Sequence, residues 1–134
     1  QDDLGMAIMF ITHDLGGIAK MVDRVGVMYL GRIVESADID AIFYDPKHPY
    51  LRALLKSIPR IGRKTSKRLE SIKGMVPDPF SVPSGCPFHP RCPSFVPGLC
   101  DVEMPPYIEL DGGGHWVACH LYSANGQATK RGEK

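Results

Sequence analysis

The chain has 134 residues, 16 basic and 15 acidic, for a formal charge of +1. This length suits a single domain, and near-neutrality excludes a chain-wide basic field for nucleic acid. At 43% hydrophobic the sequence has material for a core, but its longest apolar run, Met6 to Ile11, is far too short to span a membrane, and no secretory signal pattern is present.

In chain order, Met6 to Thr12 is continuously apolar at strand length, which predicts a strand buried on both faces in a parallel sheet. Asp14 is placed to cap a helix over Leu15 to Val22, whose apolar stripe is Leu15, Ile18, Ala19 and Val22. Gly16 and Gly17 weaken that helix by about 1 kcal/mol each relative to Ala. Arg24 to Leu30 predicts a strand, Gly31-Arg32 a turn and Ile33 to Ser36 a second strand, together a hairpin. Asp38 or Asp40 starts a short helix carrying Ile42 and Phe43, stopped at Asp45-Pro46. Pro49 opens another helix with the stripe Tyr50, Leu51, Leu54, Leu55 and Ile58, which Pro59 ends.

Composition then changes. Of 16 basic residues, 8 fall between Arg52 and Lys73, opposed only by Glu70. Arg60 to Lys73 reads as an exposed linker without the aromatic platforms that single-stranded nucleic acid needs. Of 12 prolines, 9 fall between Pro77 and Pro106, which excludes long helices there. His115 to Leu121 predicts a short closing strand, and Gly126 to Lys134 a disordered polar tail. The fold class expected is therefore an α/β beginning followed by a small, loop-rich α+β extension containing four cysteines.

Those cysteines, Cys86, Cys92, Cys100 and Cys119, are the chain's full complement. A proline-rich segment this poor in apolar residues needs a staple to offset its ordering entropy. The lack of secretory features favours a metal or cluster over disulfides or free thiols. Four thiolates suit zinc or an iron–sulfur cluster, although the spacing is not that of a zinc ribbon. His89 and His120 lie beside cysteines and read as surrounding residues rather than ligands. Trp116 reads as a packing anchor under the cysteine loop. His13 ends the first strand, where α/β sheets bind ligands; taken alone, a capping or packing role is favoured. No phosphate-binding glycine loop, nucleophile elbow or H-E-x-x-H pair occurs, and Gly112-Gly113-Gly114 precedes a predicted strand rather than a helix N-terminus, which makes it a poor phosphate cradle.

Ile11-Thr12-His13-Asp14-Leu15, Asp23-Arg24-Val25 and Val27-Met28-Tyr29-Leu30-Gly31-Arg32-Ile33-Val34-Glu35 together resemble the end of an ABC-transporter ATPase domain. Lys47-His48-Pro49-Tyr50, Leu54-Leu55, Ile58-Pro59 and Gly74-Met75-Val76-Pro77 resemble the C-terminal extension of oligopeptide/dipeptide importer ATPases. So do Gly85 to Pro93, Cys100 and His115 to His120. The resemblance runs from about Leu4 to Tyr122, with Leu51 departing from the family's usual threonine.

It implies that His13 is the H-loop histidine, contacting the γ-phosphate of ATP. It also implies that Cys86, Cys92, Cys100 and Cys119 hold a [4Fe-4S] cluster, which air exposure would empty or replace with zinc. The intact subunit would bind MgATP, pair with a second ATPase subunit, and drive permease subunits that import di- or oligopeptides. It would sit in the cytoplasm at the inner face of the cell membrane. The family's phosphate loop, signature and Walker B motifs are absent from these residues, so a C-terminal fragment is expected, with no ATP hydrolysis of its own. The expected segments are 1–37 (end of the ATPase core), 38–73 (helical extension and linker), 74–122 (four-cysteine module) and 123–134 (tail). A free-standing metal- or cluster-binding interaction module is the alternative. Strand edges left unpaired predict self-association around Met6 to Thr12 and Arg24 to Ser36.

Overall fold

A computed structural model describes residues 5–58, 72, 74–78, 80–110 and 112–123. The described residues are built on one four-stranded antiparallel sheet. Strands β1 (Arg24–Tyr29) and β2 (Arg32–Asp38) form the expected hairpin. Its loop is Leu30-Gly31 rather than Gly31-Arg32, with φ of +45° and +77°. Two positive φ values in a two-residue loop fit the turn that matches the strands' right-handed twist.

Two further strands, β3 (Tyr107–Leu110) and β4 (His115–Ala118), come from the far end of the chain. The order is β1-β2-β4-β3, so β4 pairs with β2 through Glu35↔Val117 and Ser36↔Trp116. The sheet thus joins residues about 80 positions apart. The observed β4 is shorter than the strand expected over His115 to Leu121, because a 3₁₀ turn at His120–Tyr122 takes over after Cys119.

Among the described residues, three short α-helices accompany the sheet. α1 (Leu15–Ile18) is capped by Asp14, whose carboxylate accepts from the Gly16 and Gly17 amides. It stops well before Val22, as two glycines in its first turn favour. α2 (Ile39–Tyr44) is capped by Asp38, which accepts from Ala41 N at 2.8 Å. α3 (Pro49–Ser57) begins at Pro49 as expected.

The first expected strand is not formed. Met6 to Thr12 carries no regular structure and is exposed throughout, with Met9 and Ile11 84% and 91% accessible. A strand exists only where a neighbour satisfies its backbone, and among the described residues none lies alongside. Apart from Ile72, the expected basic linker lies outside the described residues, as does the expected tail.

One core serves both halves. Val25, Val27 and Tyr29 alternate inward from β1, and Val34 and Ala37 from β2. Ile42 of α2, Leu51 of α3, and Phe88, Cys86 and Cys100 of the proline-rich segment join them. Tyr29, Tyr50 and Phe88 form a triangle of rings with centroids 4.7–5.5 Å apart, at tilted and edge-on angles favoured for aromatic pairs.

Candidate functional site

The cysteine segment is held by local backbone bonds rather than long elements. Cys86 N donates to Cys100 O at 2.8 Å, pinning two cysteines together. Gly85 makes this approach possible: its φ is +64°, and a Cβ there would lie 2.4 Å from Cys100 O. A 3₁₀ turn at His89–Arg91 leads into Cys92, and Cys100 N bonds to Val96 O.

All four cysteines are free thiols, and Cys86, Cys100 and Cys119 are buried. Burial pushes the Cys86 thiol up, Cys92 up to about 11 and Cys119 up to about 12. Backbone N–H groups oppose that rise: Phe88 and His89 at Cys86, Ser94 at Cys92, Leu121 at Cys119. In the two Cys-Pro sequences, the amide just past the proline is thus directed at the sulfur. Cys119 also feels the charge of Cys92, Cys86 and Cys100, so the four share one electrostatic neighbourhood.

Among the described residues, no three His, Cys, Asp or Glu side chains close into a metal-holding group. The donor set nevertheless fits a thiophilic metal or cluster in its chemistry. It consists of four free, largely buried thiols, and three of them receive backbone N–H donors that favour the thiolate.

The rings of His89 and His120 each meet a backbone carbonyl. His89 Nδ1 lies 3.0 Å from Cys86 O and its ring stacks on Phe95, while His120 Nε2 lies 2.8 Å from Glu103 O. Trp116 stacks on Tyr107 across β3 and β4, with centroids 5.5 Å apart. Its ring partner is a residue of the neighbouring strand. His13 is exposed, immediately before the Asp14 cap. Cys86 and Cys100 join the core and Cys92 packs against it, whereas His13 lies on the exposed N-terminal segment.

A second constellation escaped the sequence reading. The bulge between Val27 and Met28 of β1 and their β2 partners lets successive residues Val34 and Glu35 both turn inward. Glu35 is fully buried. Its Oε1 accepts from Lys47 N (2.9 Å) and lies 2.7 Å from His115 Nε2; its Oε2 accepts from His48 N (2.6 Å). Both carboxylate oxygens are thus used, as a buried carboxylate requires.

Glu35 in this way holds the turn that starts α3. His48, 1% exposed, is the helix cap: its Nδ1 accepts from Tyr50 N at 3.0 Å. Burial is the main cause that lowers its pKa to about 4, and Arg52 adds to the shift. Pro49 occupies the first helical position, where its missing N–H costs nothing. Tyr50 enters the aromatic triangle. Each residue of His-Pro-Tyr therefore has a separate physical task in one helix start. The cap was readable from the histidine preceding a helix-opening proline. The carboxylate was not, because nothing in a strand sequence announces a bulge.

The family model for the oligopeptide/dipeptide transporter, C-terminal region, matches residues 34–100. This stretch runs from the bulge beside Glu35 through the His-Pro-Tyr cap to Cys100. The chain belongs to that family. Among its relatives, the oligopeptide transport ATP-binding protein AppF of Bacillus subtilis is 42% identical over 125 residues, covering 92% of this chain. AppD of the same organism, also named an oligopeptide transport ATP-binding protein, is 44% identical over 120 residues, covering 90%. The matches span 37% and 36% of those two proteins, so the chain represents about a third of their length.

Proposed function

We propose that this chain serves as the C-terminal region of an ATP-binding subunit that powers import of di- or oligopeptides. The observation that carries the reading is the family match over the His-Pro-Tyr and cysteine segments, joined by high identity to oligopeptide transport ATP-binding proteins. In that reading the intact subunit binds MgATP, pairs with a second ATPase subunit and engages permease subunits from the cytoplasmic face of the membrane. No helix among the described residues is long and apolar enough to cross a membrane, which suits a peripheral subunit.

His13 takes the H-loop role, contacting the γ-phosphate in the intact subunit; its exposure leaves its ring free for such a contact. Residues 1–37 complete the ATPase core, 38–73 form the helical extension and 74–122 the cysteine module. Cys86, Cys92, Cys100 and Cys119 hold a [4Fe-4S] cluster or, after exposure to air, zinc. Such a group supplies a structural cross-link to a segment with little apolar surface of its own. The chain's own residues shape that site, by burying the thiols and aiming amides at sulfur.

A chimera tests the central reading. This chain replaces the matching region of AppF in Bacillus subtilis, and uptake of a labelled oligopeptide is measured. Uptake is expected with the chimera and is expected to be lost with His13→Ala at unchanged protein level. A folded chimera that transports equally well with His13→Ala would overturn the H-loop assignment. Iron and acid-labile sulfide analysis of anaerobically purified chain tests the cluster. About four irons per chain are expected, and a chain free of metal under those conditions rejects it.

A further inference from the structure

Cys119 lies between two struts. Four residues before it, His115 on β4 places Nε2 2.7 Å from Glu35 Oε1. Three residues after it, the Tyr122 hydroxyl donates to Lys47 O at 3.1 Å and accepts from Arg52 at 3.0 Å. Both struts end on the same turn, because Glu35 holds the amides of Lys47 and His48 and Tyr122 holds the Lys47 carbonyl. One strut therefore acts through the amides of this turn and the other through its carbonyl.

The backbone between the struts is pinned. Val117 is fully buried and faces Glu35 across the β2–β4 ladder. Cys119 and His120 are 7% and 3% exposed. Tyr122 N and Ser123 N bond back to Cys119 O and His120 O. A displacement of Cys119 has no loose segment in which to dissipate before reaching His115 or Tyr122. Asp38, by contrast, caps α2 from the far end of β2 and touches neither strut.

We infer that Cys119, through the His115–Glu35 and Tyr122 struts, sets how firmly the Lys47–His48 turn and the α3 start are held. The chemical state of the cysteine segment is thereby transmitted to the His-Pro-Tyr helix some 70 residues earlier in the chain. The coupling is a contiguous chain of hydrogen bonds and paired backbone, and it acts by opening or tightening a local unit. It does not depend on which group the cysteines hold or on the transport reading.

Amide hydrogen exchange on the full chain tests it, with Lys47 and His48 as reporters and the Ala41 amide, held by Asp38, as the internal control. Cys119→Ser is expected to speed exchange at Lys47 and His48 on the order of tenfold or more while Ala41 changes little. Tyr122→Phe, which removes one hydroxyl and no packing, is expected to shift the same two amides less. His115→Gln, which keeps an N–H donor toward Glu35, is expected to exchange more slowly at them than His115→Ala. Reporter amides that stay at wild-type rates in both Cys119→Ser and Tyr122→Phe would overturn the coupling. So would a rise in which Ala41 follows in equal measure. If Cys119→Ser does not fold, Tyr122→Phe decides alone: a selective rise supports the coupling and an unchanged rate rejects it.

Discussion

Glu35 has no exposed surface, yet it carries a carboxylate. Such a group is tolerated only where donors replace the water it loses, and three N–H groups do so here. Glu35→Ala would orphan all three, and the expected destabilisation is about 3 kcal/mol or more, read from urea unfolding midpoints. Glu35→Gln is also expected to destabilise, since its amide presents a donor where the second carboxylate oxygen accepts. A Glu35→Ala chain within about 0.5 kcal/mol of wild type would show that the network contributes little. His48 adds a pH dependence. The folded chain keeps it neutral down to about 4, against a usual value of 6.5, because protonation would bury a charge. Between those values the unfolded chain binds more protons, so stability rises with pH. The contribution is complete above pH 6.5, declines as pH falls, and levels off below about 4. Its full size is on the order of 3 kcal/mol. His48→Asn keeps a capping oxygen for Tyr50 N but no titrating ring. Its stability is expected to fall less than wild type between pH 6.5 and 4, measured by urea unfolding at each pH.

At the scale of elements, legibility followed how local the determining signal is. The β1–β2 hairpin, the Asp38 cap and the proline-opened α3 rest on neighbours in sequence, and each was placed within a few residues. β3 has no counterpart among the expected elements: at four residues directly after Pro105-Pro106, its pattern is too short to stand out from the proline-rich stretch. The Met6 to Thr12 strand failed for the opposite reason: strong apolarity, with no partner strand among the described residues. At the candidate site, the cysteine set could be read because thiols are rare and clustered. Glu35, His115 and Tyr122 could not, since their roles arise only when distant segments meet. Gly85 belongs to this scale too, since it lets two turns of the cysteine segment touch. Gly85→Ala forces a Cβ against the Cys100 carbonyl at a positive φ, and the adjacent Cys86–Cys100 backbone bond lies in the way of relaxation. The expected loss is above about 2 kcal/mol. Disorder of the cysteine segment in amide exchange should accompany it, with the β1–β2 hairpin less affected.

For the whole molecule, the sheet order leaves an open edge. β1 is an edge strand, so one side of its backbone is unpaired among the described residues. Met28 projects from it 58% exposed, and Met6, Ile8, Met9, Phe10 and Ile11 form a separate exposed apolar row. β1 carries a positive charge only at its start, Arg24, whose guanidinium is engaged with Gly114 O. Edges of this kind invite pairing with a second copy unless charge or proline blocks them. The isolated chain is therefore expected to self-associate with rising concentration, measured by sedimentation velocity from micromolar to near-millimolar protein. Met28→Lys places a charge on the edge strand, and Ile11→Lys one within the apolar row. Each is expected to shift the distribution toward monomer, and the double variant further, because the two surfaces contribute through different contacts. Both positions are already exposed, so neither change should lower the unfolding midpoint by more than about 0.5 kcal/mol. The association and the fold are thus separable in one experiment. A wild-type chain that stays monomeric across the range removes this role for both surfaces. A dimer indifferent to both lysines would place the contact on another face of the molecule.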